Sequence, residues 1–242
     1  MSKQELDIIF ENDRMIVLNK PAGVLSIPDR FNKEKNNLKT ILTERFGSIF
    51  VVHRLDRETS GAIIFAKDAE AHKELNSQFE NREVKKLYHA IIYGTFKDDE
   101  LRVDIPLAPN PMKKGLMMPT VRGKDSITII KPIERFRIAT LIECDMLTGR
   151  QHQIRVHCSA IGHPLFVDKD YGKQDYFMLS SIKKRFNLKK DTEEAPILNR
   201  TPLHSYQIEI KLPGEDTIQC FTAEYPKDFT AALNVLRKYA KI

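Results

Sequence analysis

"HRLDRETSGAIIFAKD", His53–Asp68, joins two apolar, strand-like runs, "IFVV" (Ile49–Val52) and "AIIFA" (Ala62–Ala66). A hairpin tip needs only a glycine or an Asn-Gly pair. This turn carries Arg54, Asp56, Arg57 and Glu58 instead, more charge than a turn requires. Outward from it, "LKTILTERFG" has helical spacing at Leu38, Ile41 and Leu42 and stops at Gly47. "AEAHKELNSQFENRE" is helix-like and "KLYHAIIYGTF" is β-rich. "SITIIKPIERF", "IATLIECDM", "PLHSYQIEIKLP" and "TIQCFTAEYP" also read as strands, and "DFTAALNVLRKYA" as a closing helix. Strands outnumber helices, and neighbours pattern as antiparallel partners. The regular β-α-β-α alternation of a doubly wound sheet is missing. The expected fold class is α+β with a large, mostly antiparallel mixed sheet.

Several segments break this pattern. Pro106–Lys124 is rich in Pro and Gly, carries Lys113, Lys114, Arg122 and Lys124, and reads as a long basic loop or irregular hairpin. "GRQHQIRVHCSAIG" reads as a helix, with Ile154, Cys158 and Ile161 spaced i, i+4, i+7. "DRFNKEKNNLK" reads as a polar surface loop. Lys173–Arg200 interrupts the strands and holds Lys183, Lys184 and Arg185 among Tyr176, Phe177 and Phe186. That composition suits an arm tracking an RNA backbone or a solvated charged loop.

The chain of 242 residues, with a formal charge of +6, is long enough to bury a core without disulfides or metal staples. Moderate basicity favours anionic partners. Cys144, Cys158 and Cys220 form no C-x-x-C pair, so neither a zinc site nor a redox pair is expected. His152 and His157 are five apart, not the four that would share a helix face for metal. No glycine-rich phosphate loop, secretory leader or membrane-length apolar run is evident. The cytosol is the expected compartment.

Five stretches in order carry more information: "NKPAGVLSIP", "HRLDRETSGAIIFAK", "KKLYHAIIYG", "LTGRQHQIRVHCSAIGHPLFVDKDYG" and "RTPLHSYQIEIKLP". Together they resemble the RluA family of pseudouridine synthases across nearly the whole chain. The resemblance implies conversion of particular uridines in RNA to pseudouridine, with no metal and no organic cofactor. One catalytic domain over residues 1–242 is expected, with 173–200 as an insertion or basic loop, and the expected state is a monomer. Asp56 matches the family's essential aspartate. Breaking a glycosidic bond builds positive charge at the sugar, which a fixed anion stabilises. Arg155 matches the arginine that pairs with that aspartate; a cation beside a carboxylate favours its charged form and fixes its rotamer. Tyr88 matches the active-site tyrosine, able to stack on uracil and to offer a hydroxyl. Arg54, two residues before Asp56, matches an arginine that helps hold the target nucleotide out of its stack.

Lys113, Lys114, Arg122, Arg150, His152, Lys183, Lys184 and Arg185 are the expected RNA contacts. Thr59, Ser60 and Gly61 are expected to shape the catalytic loop, and Lys20 to pack or turn near it. The chain departs from the family's pattern at Ile27-Pro28, where "HP" is common, and at "LPGEDT". No N-terminal RNA-binding domain of the S4 type is expected before "NKPAG". Ribosomal RNA is the expected substrate, with tRNA as the alternative. A non-catalytic RNA chaperone is the competing class, and the presence of Asp56, Tyr88 and Arg155 speaks against it.

Overall fold

The computed structural model describes residues 6–29, 32, 35–187 and 192–242. Lys189 and Lys190 of the basic segment, and four residues of the polar stretch after Pro28, lie outside them. In chain order the elements are β1 (Ile8–Glu11), β2 (Met15–Lys20), α1 (Leu38–Phe46), β3 (Phe50–Val51), β4 (Ser60–Ala66), α2 (Ala69–Glu80) and β5 (Lys85–Tyr93). There follow β6 (Leu101–Asp104), β7 (Leu107–Pro109), β8 (Met117–Pro119), β9 (Ile127–Arg135), β10 (Ala139–Met146) and α3 (Gln153–Ala160). A short 3-10 turn, Leu179–Ser181, precedes β11 (Leu203–Lys211), β12 (Ile218–Thr222) and α4 (Lys227–Tyr239). Ten of these strands belong to one mixed sheet, so the α+β reading holds.

The chain divides into two compact units, each discontinuous in sequence. Unit 1 is Met1–Tyr88 with His204–Glu224; unit 2 is His89–Leu203 with Tyr225–Ile242.

Unit 1 is built around β4. All seven residues of "SGAIIFA" are buried, as expected of a strand covered on both faces. β2 pairs antiparallel along it from Met15↔Ala66 to Lys20↔Gly61. On the other edge, β3 pairs antiparallel at Ala66 and Phe65. β11 pairs parallel at His204↔Ser60 and Ser205↔Gly61. β1 flanks β2 and β12 flanks β11, both antiparallel. Met15, Val17, Ala62, Ile64, Leu75, Ile208, Ile210 and Phe221 form one core cluster. α2 starts where the opening motif ends: the Asp68 carboxylate accepts the Ala71 N–H, an N-cap that satisfies an orphan donor. α1 is capped by Asn37 and ends at Gly47 with φ 80°.

Unit 2 contains the antiparallel series β10-β9-β6. The basic Pro106–Lys124 stretch is an irregular hairpin, β7 paired antiparallel with β8. α4 buries Phe229, Ala232, Leu233 and Leu236, an i, i+3, i+4, i+7 stripe, against Ile91, Phe136, Leu141 and Phe166.

Three expectations change. The helix does not span "GRQHQIRVHCSAIG"; it begins at Gln153, after His152 adopts a left-handed backbone with φ 54°. Phe177 does not stack on an RNA arm: it is 1% exposed and packs edge-on against Phe166. Its bridge to Leu198 closes the base of the 173–200 excursion. β1 and β6 add two strands that the sequence pattern does not mark, because four residues carry too few alternations to register.

Candidate active site

In unit 1, the charged turn is braced from below. The Lys20 ammonium is fully buried, and it donates to the carbonyls of Pro21 (3.0 Å), Val24 (2.7 Å) and Arg57 (3.0 Å). A buried cation persists only when its donors are satisfied, and these three bonds tie the "NKPAG" turn to the catalytic loop. Gly23 and Arg57 add a reciprocal pair of bonds. The Ser26 hydroxyl donates to Leu55 O at 2.9 Å and accepts Leu55 N–H at 3.1 Å. Thr59 N–H closes the turn on Asp56 O. Leu55 is buried beneath, whereas Arg54 is exposed and Asp56 half-buried. The loop therefore presents Arg54 and Asp56 outward on a fixed backbone.

His53 has a role that motif reading does not assign. β3 and β11 leave a gap along the edge of β4, and there the His53 Nε2 accepts the Ile64 N–H at 3.0 Å. Its ring stacks on Phe79, centroids 4.8 Å apart. Burial, reinforced by the Lys86 charge, pushes the imidazole pKa down to about 3. Burial likewise lowers His89, on β5, to about 4. The unfolded chain binds protons at these sites near pH 6.5 while the folded chain does not. Stability is therefore retained above about pH 6.5 and lost as pH falls toward the folded values, by at most about 1.4 kcal/mol per pH unit per histidine. The thermal midpoint is expected to drop between pH 7.5 and pH 5, and His53→Gln, which keeps an acceptor for Ile64, is expected to lessen the drop. An identical pH profile for the variant would remove His53 from this account.

Gly61 stands where β4 and β11 run closest. Its φ is +110°, and a Cβ there would lie 2.2 Å from Ser205 O. Only glycine permits that approach. Beside it, the Ser60 hydroxyl meets His204 Nδ1 at 2.9 Å, and His204 Nε2 meets Ala223 O at 3.0 Å. The carbonyl requires Nε2–H, so Nδ1 accepts from Ser60. Both residues are almost wholly buried, so this pair locks strands together and is not a nucleophile.

Tyr88 lies 7% exposed at the unit 1 end of β5. Its phenol pKa is pushed up to about 12, chiefly by burial and also by the Asp56 charge, and its hydroxyl is hydrogen-bonded with Ser205. Asp56 thus lies near enough for its charge to act on the Tyr88 hydroxyl. Ser205 Oγ gives its own proton to Ala62 O at 3.0 Å, so it accepts from that hydroxyl. Tyr88 is a neutral donor at physiological pH.

In unit 2, the Arg155 guanidinium is 8% exposed. Nε and Nη2 bind the two oxygens of Asp168 at 2.8 and 2.7 Å, and Nη2 also binds Asp170 at 2.6 Å. Burial works against the charge, yet the two carboxylates hold the arginine's pKa above its ordinary value. Asp168 is fixed in turn by the N–H groups of Asp170 and Tyr171. The "VDKDYG" stretch is therefore the seat of Arg155, a role its local pattern does not betray. Gln153 caps this region, accepting from the Thr148 hydroxyl and Arg150 N–H and donating to Ile127 O and Thr128. His157 bonds Thr128 and Ile105 O and is structural. Among the described residues, no group of three or more His, Cys, Asp or Glu side chains could hold a metal ion. No described helix is long and apolar enough to cross a membrane.

Of the expected RNA contacts, Arg54, Lys113, Lys114, Arg122, Lys184 and Arg185 are exposed, and Arg150, His152 and Lys183 are half-buried. Arg150 donates to Asp125 O, and Lys183 lies over the Phe186 ring at 5.9 Å.

Residues 14–160 match the RNA pseudouridylate synthase family, and the chain belongs to that family. It is 34% identical to a ribosomal large subunit pseudouridine synthase D of Nitrosomonas europaea, over 96% of this chain and 65% of that protein. It is 38% identical to a dual-specificity RNA pseudouridine synthase RluA of Vibrio vulnificus, over 72% of each. The chain thus spans just under two thirds of the synthase D relative. Two human structures share the fold: RNA pseudouridylate synthase domain containing 1, with a TM-score of 0.69 at 24% identity over 100% of this chain and 98% of that one, and domain containing 4, with 0.71 at 22% over 96% and 93%.

Proposed function

We propose that this chain is an RNA pseudouridine synthase that isomerises uridine in structured RNA, with ribosomal RNA as its substrate and without metal or organic cofactor. The observation that carries the proposal is Asp56, on a loop braced by Lys20 and Ser26, near enough to the buried Tyr88 hydroxyl for its charge to act on it. In the reaction the N1–C1′ bond breaks, uracil turns, and a C5–C1′ bond forms. The C5 proton leaves and N1 gains one, so atoms balance without a co-reactant. Asp56 takes the sugar 2′ proton as N1 leaves, giving a glycal, and returns it to C2′ when the C5–C1′ bond forms; its charge faces the cation that develops at C1′. Arg155, held on Asp168 and Asp170 within unit 2, is the fixed cation that the family motif supplies. Tyr88 supplies a ring for the base to stack on and a neutral hydroxyl for the late proton transfers. Arg54 fills or clamps the gap left by the extruded nucleotide, whose unstacking costs a few kcal/mol. Lys113, Lys114, Arg122, Arg150, His152, Lys183, Lys184 and Arg185 contact phosphates. The enzyme works as a monomer in the cytosol.

The dual-specificity name of the Vibrio relative favours a second RNA substrate beside ribosomal RNA, and tRNA is the second reading. Tritium release from [5-³H]uridine RNA tests the proposal: ribosomal RNA is expected to release label, whereas an RNA chaperone would bind it and release none. In the same assay Tyr88→Phe is expected to bind RNA normally, because the ring remains, but to turn over at least about ten times more slowly. A wild-type rate for this variant would leave the hydroxyl with no part in the chemistry.

A further inference from the structure

Within unit 2, Tyr171 makes a set of bonds that no catalytic role explains. Its hydroxyl oxygen accepts the Met117 N–H of β8 at 2.7 Å and meets His152 Nδ1 at 2.9 Å. Its ring lies under the Arg155 guanidinium, 4.8 Å from the centroid. Its own N–H donates to Asp168 at 3.1 Å, and its carbonyl accepts the Ser159 hydroxyl at 3.0 Å. One side chain therefore touches the basic hairpin, the residue before α3 and the Arg155 cation. A second, exposed tie runs from Gln151 Nε2 to Gly115 O at 3.1 Å, again joining the α3 entry to the hairpin.

Tyr171 Oη accepts the Met117 N–H and shares a second hydrogen bond with His152 Nδ1, so one oxygen anchors both groups. His152 lies at the entry to α3, where the sequence places an RNA contact. Its left-handed backbone is uncommon for a residue other than glycine and persists only where the surroundings hold it. Lys113 and Lys114, at the exposed tip of the same hairpin, suit an anionic partner. Without the Tyr171 hydroxyl, the hairpin and His152 lose their common anchor while Arg155 keeps Asp168 and Asp170.

We propose that Tyr171 is a positioning residue for substrate RNA: its hydroxyl holds the β7–β8 hairpin and His152 as one phosphate-binding surface in register with Arg155. The proposal rests on the RNA-modifying reading above. It is tested with in vitro-transcribed large-subunit ribosomal RNA carrying [5-³H]uridine, measuring both tritium release and equilibrium binding across salt concentrations. Tyr171→Phe keeps the ring under Arg155 and removes only the hydroxyl. Its KM for RNA is expected to rise about five-fold, the size of one net hydrogen bond, with kcat within about two-fold. The log–log salt slope of binding is expected to flatten by about 0.7–0.9 for each phosphate that the protein no longer neutralises. In a Lys113→Ala/Lys114→Ala background the same substitution is expected to add less than about two-fold, because the two changes act through one hairpin. An unchanged KM and salt slope for Tyr171→Phe, whatever its melting temperature, overturns the proposal. Should that variant not fold, Gln151→Ala replaces it; a KM increase of about two-fold is then expected, and none overturns the proposal. Wild-type chain that binds this RNA but releases no tritium refutes the synthase reading while the salt slope still decides Tyr171. Wild-type chain that binds no RNA overturns both.

Discussion

Asp56→Asn is expected to lower pseudouridine formation at least about a hundred-fold while changing RNA affinity little. The substitution keeps the shape of the side chain and removes its charge. The bracing bonds made by Lys20, Ser26 and Thr59 do not use that charge. Lys20 holds carbonyls of Pro21, Val24 and Arg57, Ser26 holds the backbone of Leu55, and Thr59 bonds the Asp56 carbonyl rather than its carboxylate. The variant is therefore expected to fold with an unaltered backbone at the turn. An asparagine cannot take the sugar proton, and its dipole is a poor substitute for an anion facing a developing cation. Tritium release under saturating RNA, with filter binding on the same sample, checks both halves. Turnover above about one per cent of wild type would remove Asp56 from the chemistry. A large loss of binding would instead make it a recognition residue.

Arg155→Ala is expected to cost both activity and stability. Asp168 has a fully buried side chain and takes two guanidinium bonds. Removing one partner of a buried ion pair leaves the other charge uncompensated, which costs about 3–5 kcal/mol. For a chain of this length that is a fall of roughly ten degrees in melting temperature. Arg155→Lys keeps the charge but cannot reproduce the two-pronged contact. It is expected to recover part of the stability and little of the activity. Melting curves and tritium release on the three proteins check this. A fully active and equally heat-stable Arg155→Ala would refute it.

How much of the fold and site is legible in the sequence depends on the range of the interaction. α1 announces itself through the spacing of Leu38, Ile41 and Leu42 and the stop at Gly47, whereas the Asn37 and Asp68 caps emerge from the structure. β4 stands out as an uninterrupted apolar run. The importance of Asp56, Tyr88 and Arg155 comes from motif resemblance, not from any periodicity. What cannot be read are partnerships across long sequence separations. His53 as acceptor for a strand N–H and Ser205 as partner of Tyr88 are consequences of strand order. The seating of Arg155 on Asp168 requires knowing that the chain turns back after Gly162. Phe177 misleads because an aromatic among lysines has the same local pattern whether it faces solvent or plugs a core. The Leu198 bridge that decides it lies far along the chain, beyond the whole basic stretch.

The parallel pairing of β4 with β11 also has a consequence for biosynthesis. When Ser60–Ala66 leaves the ribosome, β2 and β3 are already available to it. The partner for Ser60 and Gly61 is encoded only after the whole of His89–Leu203. At ordinary elongation rates that delay is on the order of ten seconds. During it, the Met1–Tyr88 part of unit 1 carries an unpaired, strongly apolar strand edge, the kind of surface on which nascent chains aggregate. The nascent chain is therefore expected to be a client of ribosome-associated holding factors. Circular permutants that bring His204–Glu224 next to Met1 would complete the unit early and dispense with that protection.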